Sequence, residues 1–202
     1  FPCAVEKGRC FAYCPKIEVD LDAITRFLHG KPYDGNPLGY HRGIFIARAG
    51  EKVKKQPFQA GGTVTALMVY AFRSGNIRGA VLTNRKGLLP EPRFVTRSAD
   101  VYRASLSKYT AAPTLSALNE ALDKGHGNLG VVGTPCQVTA VSQMRMNPMD
   151  KPGFQDPTAL VVGLFCTWAL DFRRFETFLA GEVPLEQIVK IDIPPPPAQV
   201  LE

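Results

Sequence analysis

Histidine and tryptophan are scarce in this chain: three and one among 202 residues. His29, His41 and His126 form no recognisable pairing with a cysteine, so a Cys–His hydrolase is a weak reading. No apolar run reaches the roughly 20 residues that span a bilayer. Residues 1–14 lack the long apolar region of a secretory signal. The expectation is therefore a cytoplasmic protein without a membrane span. No glycine-rich loop ends in Lys-Ser/Thr as a Walker A loop does, and no strand runs into G-x-G-x-x-G. Basic tracts with interleaved aromatics are also missing. The net charge of +6 thus reads as a soluble basic surface able to attract phosphate-bearing cofactors, with no nucleic acid partner expected. Lys52-Val53-Lys54-Lys55 is too short to alter this and reads as a solvated loop. No internal repeat is visible, and both ends read as cut, the chain starting with Phe1.

What is present is an odd set of five cysteines. Without a secretory signal, a disulfide framework is not expected, which leaves free thiols or metal ligands. A hydrophobic content of 45% against 21% charged residues lets a chain of this length bury a genuine core in one domain with a small appendage.

Periodicity divides residues 20–202 into alternating elements, after a short irregular cysteine-bearing N-terminal segment at residues 1–19. A short helix is expected over Asp20–Leu28, capped by Asp20 and ended by Gly30. Lys31–Gly39 and Lys52–Gly62 read as loops, with a buried strand at Ile44–Ala47 between them. The clearest helix runs from Gly62 to Arg73, with Thr63 as its cap and Ser74-Gly75 as its stop. A short strand at Gly79–Leu82 follows, reaching Thr83-Asn84, then an outlying strand at Phe94-Val95, a helix at Ser98–Ser105 and a helix at Thr114–Lys124. Beyond these come a strand at Leu129–Val132, a helix at Cys136–Met144, a strand at Thr158–Leu164, a helix at Leu170–Ala180 and a late strand at Ile188–Ile193. Strands alternating with helices specify an α/β fold, a mostly parallel sheet with helices on both faces.

Two runs stand out against this frame: Gly133-Thr134-Pro135-Cys136-Gln137 and Gly163-Leu164-Phe165-Cys166-Thr167. Each sets a cysteine just past an apolar strand. In a parallel sheet the strand C-termini share one rim, outside which ligands bind, so two thiols distant in sequence are expected to face one cavity. Cys136 falls in the first turn of a helix, where the dipole favours thiolate, suited to a metal ligand or a nucleophile. Two thiolates make half a ligand set for an iron–sulfur cluster. Gln59-Ala60-Gly61-Gly62-Thr63-Val64-Thr65 places paired glycines at a helix start, where backbone N–H groups approach an anion closely; taken alone, it also reads as a glycine loop. Ser107-Lys108-Tyr109-Thr110 sets a lysine between hydroxyls, either a phosphate contact or a surface loop. Cys10-x-x-x-Cys14-Pro15 matches the tail of a bacterial ferredoxin pattern, with Cys3 too far upstream to complete it.

In this order the motifs resemble the family of coenzyme F420 hydrogenase/dehydrogenase beta subunits, over about Cys10 to Ile193. The resemblance implies an oxidoreductase subunit that passes electrons between a hydride carrier, coenzyme F420 or similar, FAD and 4Fe–4S clusters. Its implied partners are other subunits of a redox complex such as a hydrogenase or formate dehydrogenase. It implies cofactor-binding roles for Gly61, Gly62, Thr63, Thr65, Ser107, Lys108, Tyr109 and Thr134. It also implies that Cys136 and Cys166 ligate one cluster, with Cys10 and Cys14 as further metal candidates in a degenerate ferredoxin-like segment. Family members carry a C-x-x-C pair after a stretch resembling Ile191-Asp192-Ile193, and none occurs here. The chain is then expected to hold its cluster poorly, and its flavin too if the absent region closes that pocket. A non-catalytic scaffold that docks a partner redox subunit is the alternative expectation.

Overall fold

A computed structural model describes residues 7–53, 58–149 and 154–193. Cys3, Lys54, Lys55 and the 194–197 proline run lie outside them. Four strands form one sheet: β1 (Gly79–Lys86), β2 (Leu89–Val95), β3 (Leu129–Gly133) and β4 (Thr158–Gly163), in the order β2-β1-β3-β4. β1, β3 and β4 run parallel, and only β2 at one edge is antiparallel. The helices are α1 (Arg9–Ala12), α2 (Leu21–His29), α3 (Thr63–Arg73), α4 (Ser98–Val101), α5 (Thr114–Asp123), α6 (Pro135–Met146) and α7 (Phe172–Glu182).

The period-two alternation of strand side chains distributes these helices over both faces. Ala80 and Leu82 of β1 point to one face and cluster with Met68, Val69 and Ala71 of α3 and Val101 of α4. Val81, between them, points the other way, into Ala117, Leu118 and Ala121 of α5 and Val141 of α6. β3 is buried at every residue because helices cover both of its faces. Close packing of α3 onto β3 depends on Gly130. A Cβ there would lie 2.6 Å from Met68 Cε and 3.0 Å from Ile77 Cδ1. The α/β reading of the sequence therefore holds, including its mostly parallel sheet and two helical layers.

Three local expectations do not hold. Ile44–Ala47 is neither strand nor buried: Ile44, Phe45 and Ile46 are 73%, 86% and 106% exposed. An apolar run becomes a buried strand only beside a partner, and this run pairs with no strand among the described residues. Ile188–Ile193 is also not a strand. Side chains, rather than a ladder, take its backbone groups: Arg85 donates to the Val189 carbonyl at 2.6 Å, and the Ile193 N–H donates to the Tyr109 hydroxyl at 3.0 Å. Thr63 does not cap α3. Gly62 occupies the cap position in a left-handed conformation, and the Thr63 hydroxyl donates instead to the Ala47 carbonyl at 2.8 Å. A fourth difference is one of extent. Phe94-Val95 is the end of a seven-residue strand that contains Pro90 and Pro92, which a sheet tolerates at its edge.

The N-terminal segment lies against α6. The Tyr13 hydroxyl donates to the Asn147 carbonyl at 2.6 Å, just past the C-terminal end of that helix. Asp20 caps α2 through the Ala23 N–H at 2.8 Å, and Gly30 ends it in the left-handed region, as the sequence indicates.

Candidate functional site

The C-terminal ends of the parallel strands define the rim. Gly133 of β3 and Gly163 of β4 are paired in register, and the ladder continues one step further, with the Leu164 N–H donating to the Gly133 carbonyl at 2.9 Å. Cys136 and Cys166 each follow their paired glycine by three residues, so both stand at the same end of adjacent strands. Both are exposed free thiols. Cys136 sits in the first turn of α6, its sulfur 3.2 Å from Thr134 Oγ1. The Cys166 thiol donates to the Trp168 carbonyl at 3.3 Å. Among the described residues, no group of three or more His, Cys, Asp or Glu side chains is arranged to hold a metal ion.

Gln137 locks the Cys136 turn. Its Oε1 accepts the Thr134 N–H at 3.0 Å, and its Nε2 donates to the Ala112 carbonyl at 2.8 Å and to Thr114 Oγ1 at 3.1 Å. Thr114, fully buried, hydrogen-bonds Thr83 of β1 at 2.7 Å. One glutamine thereby ties the starts of α5 and α6 to the rim of the sheet.

A second polar centre lies on the loops above. Gln59 Oε1 accepts the Ser107 N–H at 2.8 Å, while its Nε2 donates to the Tyr109 hydroxyl and to Asp192 Oδ1. Tyr109 donates to the same carboxylate oxygen at 3.1 Å. The Tyr109 ring faces Trp168 at 6.3 Å, and its carbonyl accepts the Leu170 N–H at 2.8 Å, which links this centre to the Cys166 loop. Lys190 donates to Asp192 Oδ2 at 2.9 Å. That bond, followed by the one from Gln59, lowers the Asp192 carboxyl below its usual range. Burial is the main influence raising the Tyr109 phenol.

Lys108 faces inward. Its ammonium donates to the carbonyls of Ala104, Ser105 and Leu106 at 2.7, 2.8 and 2.8 Å, holding Leu106 at φ 73°. An ammonium has three donors, so all of them are engaged by its own loop. Burial, with the Arg85 charge second, pushes its pKa down to about 8.

Gly61 and Gly62 are consecutive left-handed residues ahead of α3. A Cβ on Gly62 would lie 2.6 Å from the Phe58 ring, so the turn needs glycine for packing as well as for its backbone angle. Thr65 is buried in the first turn of the helix.

Cys10 and Cys14 are not at this rim. α6 starts at the rim and ends near Tyr13, and its twelve residues amount to about 18 Å at 1.5 Å per residue. The two cysteine pairs therefore lie at opposite ends of one helix. Of the residues singled out from sequence, the structure brings Thr134, Cys136 and Cys166 together at the strand ends. It also gathers Ser107 and Tyr109 around one polar centre with Gln59, while Lys108 turns to its own loop. The roles of Gln59, Arg85, Trp168 and Asp192 escape sequence reasoning. The available signals are a single tryptophan two residues beyond a rim cysteine, and an acid flanked by two isoleucines.

Comparison with known proteins agrees with this architecture. Residues 44–119 match the model for the coenzyme F420 hydrogenase/dehydrogenase beta-subunit N-terminal region, and residues 126–200 match that for its C terminus. The chain belongs to this family. It is 30% identical over 161 residues to coenzyme F420 hydrogenase subunit beta of Methanothermobacter thermautotrophicus, covering 77% of this chain and 57% of that protein. It is 35% identical over 189 residues to an F(420)H(2) dehydrogenase subunit of Methanosarcina mazei, covering 93% and 49%. A chain of the F420-reducing [NiFe] hydrogenase complex from Methanosarcina barkeri superposes with a TM-score of 0.66 at 28% identity, covering 73% of this chain and 52% of that one. The chain thus spans about half the length of the relatives it matches. No helix among the described residues is long and apolar enough to cross a membrane.

Proposed function

We propose that this family member is an electron-transfer subunit. It links a hydride carrier, coenzyme F420 or a related acceptor, to FAD and a 4Fe–4S cluster within a larger redox complex. The observation that carries the reading is the convergence of Cys136 and Cys166 on the C-terminal rim through the in-register Gly133–Gly163 pair. That rim is where open α/β sheets bind ligands. The names of the relatives, which are F420-linked hydrogenase and dehydrogenase subunits, support the same chemistry.

The donor chemistry fits this assignment in part. Two exposed thiols on adjacent strand ends can supply two ligands to an iron–sulfur cluster, the remaining ligands coming from elsewhere. In this reading Gly61, Gly62, Ser107 and Tyr109 would hold the flavin. When bound, it would let a two-electron hydride leave as single electrons. The chain's own residues would orient and enclose it. The Gly61–Gly62 turn sets the start of α3, Gln137 fixes the Cys136 turn, and Tyr109 holds the Trp168 loop beside Cys166. Lys108 serves by shaping its loop, since its donors are all engaged there.

The test is a titration of the full chain with FAD, followed by quenching of flavin fluorescence. Saturable quenching that Gly62→Ala removes, in a variant with unchanged circular dichroism, is the expected result. No saturable binding would leave the second reading, a non-catalytic scaffold docking a partner redox subunit. The near-complete exposure of Phe45, Ile46 and Phe165 favours that one.

A further inference from the structure

The Asp192 carboxylate is held like a bound ligand. Two neutral donors from loops far apart in sequence, Gln59 Nε2 and the Tyr109 hydroxyl, converge on its Oδ1, and Lys190 takes Oδ2. Hydrogen bonds from several donors to one ionised oxyanion are the stronger, charge-assisted kind. The donors sit on loops bonded to one another and to the chain beyond β4: Gln59 also holds the Ser107 backbone, and Tyr109 pairs through its backbone with Leu170.

The segment that brings the carboxylate belongs to no helix or strand. Residues 188–193 have no regular structure, and Val189 is 81% exposed. Besides the Asp192 contacts, it is held by the Arg85 bond to the Val189 carbonyl, by the bond from the Ile193 N–H to the Tyr109 hydroxyl and, at its start, by the Ile188 N–H donating to the Leu185 carbonyl at 3.2 Å. Segments with few buried contacts and solvent-exposed hydrogen bonds open at low free-energy cost. Beneath it, Arg85, Lys108, Tyr109 and Ile191 line a crevice of about 40 Å³. That is space for a few waters and no cofactor, so the segment closes this part of the rim.

We propose that Asp192 is a tethered occupant of an oxyanion-recognition site formed by Gln59 and Tyr109, which a phosphate- or carboxylate-bearing group of an incoming cofactor displaces as the 188–193 segment lifts. The inference rests on the reading of this rim as a cofactor site. It adds that the site is self-inhibited, and by which residue. Lys190 lies on the same segment and leaves with Asp192, so Gln59 Nε2 and the Tyr109 hydroxyl are the donors left for the incoming anion.

The test uses the full chain, with inorganic pyrophosphate as the phosphate probe and glutarate as the carboxylate probe, both by titration calorimetry. A competent fraction of about one tenth lowers apparent affinity about tenfold. Asp192→Ala and Asp192→Asn are therefore expected to bind at least one probe about tenfold more tightly than the unaltered chain. The probe that responds identifies the source of the oxyanion. Asp123→Asn removes the same charge from an exposed position at the far end of α5 and is expected to change nothing. In the unaltered chain, saturating probe is expected to speed hydrogen exchange of the Ile193 amide. Unchanged or weaker binding by both Asp192 variants, no binding to either of them, or an equal gain in Asp123→Asn overturns the proposal. Asp192 would then be a strut of the rim. FAD titrations run in parallel keep the two ideas separate. Tighter pyrophosphate binding without FAD binding removes the flavin assignment and leaves the displaced carboxylate. FAD binding to the unaltered chain with no gain in the variants does the reverse.

Discussion

At the scale of single residues, the rim is held by side chains whose polar atoms are nearly all matched. Gln137 is the clearest case. Replacing it by Ala removes its bonds to Thr134, Ala112 and buried Thr114. Unpairing buried polar groups costs about 1–3 kcal/mol. Gln137→Ala is thus expected to lower unfolding stability by about 2 kcal/mol, read as a lower urea midpoint with an unchanged slope. Lys108 predicts a pH signature. Its folded pKa of about 8 lies below the ordinary lysine value of 10.5, so the folded protein releases this proton before the unfolded chain does. Stability relative to Lys108→Met should then rise as pH increases from about 8 to 10.5. Denaturant titrations of both proteins across that window check the sign, and an NMR titration of the Lys108 side chain should show a midpoint near 8. Lys108 is legible in the sequence because a lysine between hydroxyls is conspicuous. Its orientation is not, because which carbonyls surround an ammonium depends on the turn at Leu106, a non-glycine residue at positive φ.

At the scale of elements, α3 and β3 are fitted through the missing side chain of Gly130. Gly130→Ala forces Met68 and Ile77, both buried, to move. Overpacking of this kind costs about 1–3 kcal/mol, and a lower thermal midpoint with unchanged secondary structure is the expected readout. Helices and parallel strands are legible because their periodicities, 3.6 and continuous apolar, are local properties of the chain. β2 is legible only at Phe94-Val95, since Pro90 and Pro92 hide an edge strand whose pairing with β1 is a non-local fact. Ile44–Ala47 and Ile188–Ile193 show the converse. Both are apolar enough for strands, yet neither pairs with one among the described residues, and hydrophobicity alone does not supply a neighbour.

At the scale of the whole molecule, α6 acts as a spacer. Cys136 and Cys166 lie at the rim, while Cys10 and Cys14 lie by the helix's other end, fixed through Tyr13 to Asn147. Anaerobic reconstitution with iron and sulfide should therefore treat the pairs independently. Iron bound at the rim is expected to fall by at least about half on Cys136→Ser or Cys166→Ser and to be unaffected by Cys10→Ser and Cys14→Ser, by iron and sulfide analysis. Equal loss from all four changes would mean that one cluster gathers both pairs. The sequence by itself determined the α/β class, the strand-then-cysteine placement of Cys136 and Cys166 and the family, because each depends on short-range patterns read in order. Only the tertiary structure decided that Asp192 meets Gln59 and Tyr109, that Lys108 faces its own loop, and that Cys10 and Cys14 stand apart from the rim. Those outcomes depend on where loops distant in sequence are carried by the packed sheet and helices, and no local pattern encodes that geometry.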